Sequence, residues 1–137
     1  MTLKTGYRLV QIPRIVDDRG CLSFVQHEQL LDFVVKRVYW LYDMKKDRGG
    51  HAHKLLKQFI FCAHGSIDLF LDDGTDQAVV RLDSPDAGLI IDKPLWRDVK
   101  NFSHDAVLVS LASESYDEND YIRSYEEFKK WQSGNNN

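Results

Sequence analysis

The chain has 137 residues, 43% of them hydrophobic, and a net charge of −3 with both signs scattered along its length. That size suits one domain with a single core, and the charge pattern excludes a basic field for nucleic acid. No apolar block reaches the length of a signal peptide or a membrane span, so the sequence predicts a cytoplasmic protein that contacts neither nucleic acid nor membrane.

Most of the chain reads as short strands. "YRLVQI" (7–12) and "CLSFVQ" (21–26) flank a turn at "DDRG", where Gly20 can take a positive φ. "HEQLLDF" has the pattern of one short helical turn, and "VKRVYWLY" (35–42) is β-branched and aromatic enough for a strand. "KQFIFCA" (57–63) and "SIDLFLD" (66–72) are joined by a tight turn at His64-Gly65, and the second alternates with Ile67, Leu69 and Leu71 on one face. "DDGT" (72–75) signals a hairpin into "QAVVRL" (77–82), and "AGLIID" (87–92) and "AVLVSLAS" (106–113) complete the set. Near the end "SYEEFKKWQ" is helical, with Tyr125, Phe128 and Trp131 three residues apart. The polar "QSGNNN" predicts a disordered tail. Cys21 and Cys62 sit in separate apolar runs, the pattern of buried free thiols in a reducing compartment. Regularly spaced short strands predict an all-β barrel with a C-terminal helix.

The chemistry gathers in "RGGHAHKLLKQFIFCAHG" (48–65). In a strand, residues two apart share a face, so His51 and His53 can converge on one pocket. That geometry serves a metal site, or a general base with a helper.

The spacing of this stretch resembles the first signature of the cupin superfamily. Gly50, His51-Ala52-His53 and Gly65 fit it, but Gln58 stands at the position of the acidic ligand. The second signature maps onto Pro94, Arg97 and Asn101, with Arg97 in place of its histidine. A divalent metal needs neutral imidazole and anionic carboxylate ligands. A neutral amide and a permanent cation at two of the four positions therefore predict a site without a metal ion.

Further blocks narrow the resemblance. "KRVYWLYD" (36–43), "RGGHAHK" (48–54), "LDDG" (71–74), "LDSPDAGL" (82–89), "LWRDVKNFS" (95–103) and "LASESYDENDYIRSYEEFKKW" (111–131) are together similar to the sugar 3,4-ketoisomerases that act on dTDP-4-keto-6-deoxy-D-glucose. The resemblance implies a cupin jelly-roll barrel with a short C-terminal helix, one domain over residues 1–131 ahead of the tail at 132–137. It also implies a cofactor-free homodimer, for which exchange of an N-terminal strand such as "YRLVQI" is a physical route.

Moving a ketone by one carbon needs a base for the proton alpha to it and an acid for the neighbouring carbon. Histidine, with an ordinary pKa of about 6.5, can be both. The resemblance makes His51 the proton shuttle between C3 and C4, with His53 orienting it or serving the neighbouring oxygen. Tyr39 would bond to the sugar or relay a proton. Arg97 and Gln58 fall at substrate-binding positions, Arg97 against the sugar oxygens. Arg19 and Arg48, with Arg37 and Lys100 behind them, are the candidates for the diphosphate. Phe24, Tyr42 and Trp96 are candidates for stacking on thymine, and Tyr116 and Arg123 could touch ligand. Arg97 in place of histidine points to the gluco product. The competing readings are a 3,5-epimerase with a His–Asp pair and an opposing tyrosine, a non-catalytic sugar-binding cupin, and a metal-dependent dioxygenase.

Overall fold

A computed structural model describes residues 1–135. β1 (Tyr7–Gln11) is followed by a hairpin of β2 (Arg14–Asp17) and β3 (Gly20–Ser23), and a long loop leads to β4 (Arg37–Leu41). β5 (Arg48–His53), β6 (Gln58–His64), β7 (Ile67–Asp72), β8 (Gln77–Leu82) and β9 (Ala87–Ile91) follow in close succession. β10 (Trp96–Lys100) and β11 (Val107–Ala112) precede a 3₁₀ turn at Glu118–Asp120, β12 (Tyr121–Ile122) and the helix α1 (Tyr125–Asn135).

The strands form two five-stranded antiparallel sheets, in the orders β1-β9-β6-β11-β4 and β12-β5-β10-β7-β8, with β2-β3 as a separate ribbon. Ile60, Leu89, Ile91 and Leu108 from the first sheet meet Ile67, Leu69, Leu71, Leu82 and Val99 from the second in one core. The fold is thus the expected all-β jelly roll, built as two facing sheets rather than one closed barrel. Strand alternation supplies that core directly: in β8 every second residue is buried. A second cluster around Ile12, Phe33, Phe59 and Ile90 lies under the loop before β4. The expected helix face docks on the second sheet, with Phe128 buried against Ala52 and Ile122 and with Tyr125 and Trp131 beside it.

Several expectations need correction. The "DDRG" turn closes β2 on β3, with Asp17 paired to Gly20 and Arg14 to Ser23, and does not join residues 7–12 to 21–26. Pro13, which has no N–H, separates β1 from β2. In "HEQLLDF" the Glu28 N–H donates forward to the Leu31 carbonyl, the reverse of a helical bond. Cys62 is buried, but Cys21 is exposed on the ribbon, where its Sγ accepts from Arg14. α1 runs through Gln132–Asn135, anchored where Gln132 Nε2 donates to the carbonyls of Asp73 and Pro94, so these residues are not a disordered tail. Asn136 and Asn137 lie outside the described residues. No helix among the described residues is long and apolar enough to cross a membrane.

Candidate active site

The histidine strand is shaped by its glycines. β5 pairs with β10 through His51–Arg97 and Gly49–Asp98, with a register shift between them that leaves Gly50 as the extra residue of a bulge. Gly49 and Gly50 have φ of +91° and +71°. A Cβ on Gly49 would stand 2.6 Å from the Arg97 carbonyl oxygen, so the two backbones can approach only around glycine. The bulge delivers His51 and His53 to the inner face, their ring centroids 5.0 Å apart and nearly perpendicular. His53 is only 1% exposed, and its Nδ1 lies 3.1 Å from Asp120 Oδ2.

Across the sandwich a polar chain links the two sheets. Arg97, 3% exposed, donates through Nε and Nη2 to the Leu95 carbonyl and through Nη1 to Gln58 Oε1. The Gln58 amide then donates to Tyr39 Oη at 2.6 Å and to Ser110 Oγ at 3.0 Å. Because Tyr39 accepts from Gln58, its own hydroxyl proton is left to donate elsewhere. These groups line a cavity of about 310 Å³ with an apolar floor that includes Leu41, Ile60, Leu69, Val99 and Leu108.

The cavity is cationic. Arg37, Arg48, Arg97 and Arg123 line it, and no Asp or Glu does among the described residues. Arg123 is paired with Glu118 through two hydrogen bonds, and the Glu118 carboxyl falls to about 2 for that reason and through Tyr116. Arg37 stacks over Tyr39 and Tyr116, and its buried Nε has no hydrogen-bond partner among the described residues. Burial, then the Arg97 charge, lowers His51 to about 4 against a backbone hydrogen bond with Gly49. The same causes, with His51, Arg37 and Arg123 added, lower His53 to about 2. Both rings are neutral at ordinary pH and have lone pairs for a proton. Burial also brings Arg97 down to about 10, still a cation at neutral pH.

This donor set does not suit a divalent ion. Gln58 and Arg97 bond to each other instead of offering two ligands. The guanidinium cannot become a ligand and would repel a dication.

Known proteins share this arrangement of strands and sequence. The family described as "FdtA: WxcM-like, C-terminal" matches residues 5–133. A TDP-4-oxo-6-deoxy-alpha-D-glucose-3,4-oxoisomerase of Aneurinibacillus thermoaerophilus is 41% identical over 126 residues, covering 90% of this chain and 91% of the relative. The chain belongs to the sugar 3,4-ketoisomerase family. As a member of it, the protein is an isomerase. A 3,4-ketoisomerase structure from Helicobacter canadensis superimposes with a TM-score of 0.92 at 38% identity, over 95% of this chain and 99% of that one. The TDP-quinovose 3,4-ketoisomerase WlaRB of Campylobacter jejuni gives 0.89 at 40% identity, over 93% and 99%.

In this family member the cavity gathers Tyr39, His51, Gln58, Arg97, Arg37 and Arg48 of the expected residues, with His53 directly behind His51. Two do not join it. Arg19 sits at the tip of the β2–β3 ribbon, exposed and paired with Asp17. Lys100 is out of phase with Arg97 on β10, so it points to the outer face and lies over Phe70. Asn101, mapped to the second cupin signature, turns away to bond Asp68. Trp96 packs on α1 and Tyr42 is exposed, whereas Tyr121 joins Tyr39 on the cavity wall.

Sequence reasoning missed Ser110, Tyr121 and Asp120. Ser110 carried a signal, a hydroxyl at an inward position of "AVLVSLAS". Tyr121 and Asp120 carried none, because the pairing of β12 with β5 brings them in from far along the chain.

Proposed function

We propose that this enzyme converts dTDP-4-keto-6-deoxy-D-glucose to dTDP-3-keto-6-deoxy-D-glucose by histidine-mediated proton transfer, without a metal or cofactor. The observation behind this reading is a neutral His51 on the wall of a cavity whose other polar groups are donors and cations. A neutral imidazole is in the state needed to remove the C3 proton. The enediolate that forms is an anion, and Arg97 and the Tyr39 hydroxyl are pre-set donors for it.

His51 takes the C3 proton, and the C–H electron pair becomes the C3–C4 double bond while the carbonyl pair moves to O4. In the second half the O3 proton leaves to His53, C3 becomes the carbonyl, and C4 takes the proton from His51. His53 then passes its proton to O4. The perpendicular rings and the bond from His53 to Asp120 favour this oxygen-side role over one in which His53 orients His51.

A cavity of about 310 Å³ suits the hexose, with Arg37 and Arg48 for the diphosphate at its mouth. The gluco configuration follows from Arg97 and is consistent with the 40% identity to a TDP-quinovose ketoisomerase, quinovose being 6-deoxyglucose. The product is the ketone that a C3 aminotransferase needs on the route to 3-amino-3,6-dideoxyhexoses. A cytoplasmic location fits a soluble nucleotide sugar. Leu9, Ile15, Val16 and Leu22, exposed on β1 and the ribbon, are the apolar surface that a homodimer would cover, with or without strand exchange.

Proton NMR of the protein with this substrate in D2O tests the reading. A 3-keto sugar with a gluco C4, absent with His51→Asn, supports it. A galacto product overturns the stereochemistry, and binding without turnover overturns the enzyme in favour of a sugar-binding module. The His53–Asp120 pair is the feature that a 3,5-epimerase would use, and exchange at C5 as well as C3 is its signature.

A further inference from the structure

We propose that Asp120 is a positioning residue that holds His53 in the tautomer protonated on Nδ1, leaving the Nε2 lone pair to receive the proton of a substrate hydroxyl. The inference rests on the ketoisomerase reading and extends it to a residue outside the cavity wall.

Asp120 is 9% exposed, at the end of the 3₁₀ turn capped by Asp117. Its Oδ1 accepts from the Leu55 N–H at 2.7 Å, and its Oδ2 accepts from the Leu56 N–H at 3.3 Å. Two backbone donors and the imidazole all address this one side chain as a hydrogen-bond acceptor. An ionised carboxylate only accepts hydrogen bonds, so the ring nitrogen 3.1 Å from Oδ2 must carry its proton there. A neutral imidazole has one N–H, so placing it on Nδ1 leaves Nε2 without one.

The carboxylate also answers a charge problem. Once His53 holds a second proton it is a cation among Arg97, Arg37 and Arg123, whose charges oppose it. Asp120 is the anion in hydrogen-bond contact with that ring. His51, by contrast, has no carboxylate in hydrogen-bond contact among the described residues. The two histidines are thus built differently, and His53 is the one equipped to hold a proton taken from oxygen.

The same carboxylate anchors the 54–57 turn, so a loss of activity on substitution would not by itself separate positioning from folding. The experiment is therefore long-range ¹⁵N–¹H NMR of the histidine rings in the full-length protein, run beside steady-state kinetics of Asp120→Asn. In the unsubstituted protein His53 is expected with Nδ1 protonated and Nε2 bare, and finding the proton on Nε2 overturns the proposal even if no variant folds. In Asp120→Asn the ring is expected to populate the other tautomer, with kcat reduced on the order of 10²-fold and KM little changed, as for carboxylates that orient a histidine. An unchanged tautomer and unchanged kcat in a folded Asp120→Asn protein would make Asp120 purely structural. The NMR result needs no substrate, so an inactive parent protein with the expected tautomer would sink the ketoisomerase reading and leave the Asp120 assignment standing.

Discussion

The inward faces of the strands carry two layers of opposite character, one strand period apart. On β6 the sequence steps from Gln58 to Ile60, on β10 from Arg97 to Val99, on β11 from Ser110 to Leu108 and on β4 from Tyr39 to Leu41. In each case two residues, about 7 Å along a strand, separate the hydrogen-bonded polar layer from the apolar floor. Gln58 ties this layer together sideways, to Arg97, Tyr39 and Ser110, while the floor beneath it is apolar. Chemistry and stability are therefore assigned to different rows of the same strands, and substitutions should separate them.

The largest expected effect is in the polar layer. His51→Asn should lower turnover by about 10²–10⁴-fold, the usual worth of a general base, while the melting temperature changes little. Kinetics and a thermal melt on the same sample check both halves. Next comes the apolar floor, where Leu69→Ala should remove about 2–5 kcal/mol of stability by leaving a cavity, with the turnover of the folded fraction largely kept. Denaturant unfolding measures it, and a collapse of kcat without a loss of stability would erase the distinction between the layers.

A subtler test alters the field instead of the packing. Gln58→Glu places an anion against Arg97 and weakens the positive charge that holds both histidines down. The acid limb of the kcat–pH profile should move to higher pH. In the parent protein the histidines already fix the sign of the stability profile. Their folded values, about 4 and about 2, lie below the ordinary 6.5, so the unfolded chain binds more protons in between. Stability should be level with respect to them above about pH 6.5 and should fall as pH drops from there toward 4 and below. Denaturant melts across pH 4–8 would reveal the slope. The smallest effect belongs to the ribbon: Arg19→Ala removes an exposed pair with Asp17 and should leave the midpoint of a denaturant melt unchanged.

The layers also explain what could be read from the chain. β7 and β8 announce themselves through apolar residues at every second position, Ile67, Leu69 and Leu71 on one and Ala78, Val80 and Leu82 on the other, and the spacing from Gly50 through His51, Gln58 and Gly65 marks the signature positions without any knowledge of contacts. β5 and β10 are hidden, since two glycines and three charged residues carry little strand propensity; they exist because each completes the ladder of the other across a bulge. Lys100 has the charge but not the phase, standing one step past the inward Val99. Arg19 has charge but no periodic partner to locate it. Asp120 and Tyr121 belong to the site only through the short β12–β5 pairing, a long-range contact with no local signature.

An amide, Gln58, and a guanidinium, Arg97, at two positions of a metal-site signature leave the histidines free to move protons. The most direct measurement is the ketoisomerisation rate of chelator-stripped protein before and after adding Fe, Mn, Ni or Zn ions. Full turnover when stripped, with no gain from any ion, is the predicted result. Activity that is lost on stripping and restored by one stoichiometric metal would contradict the account.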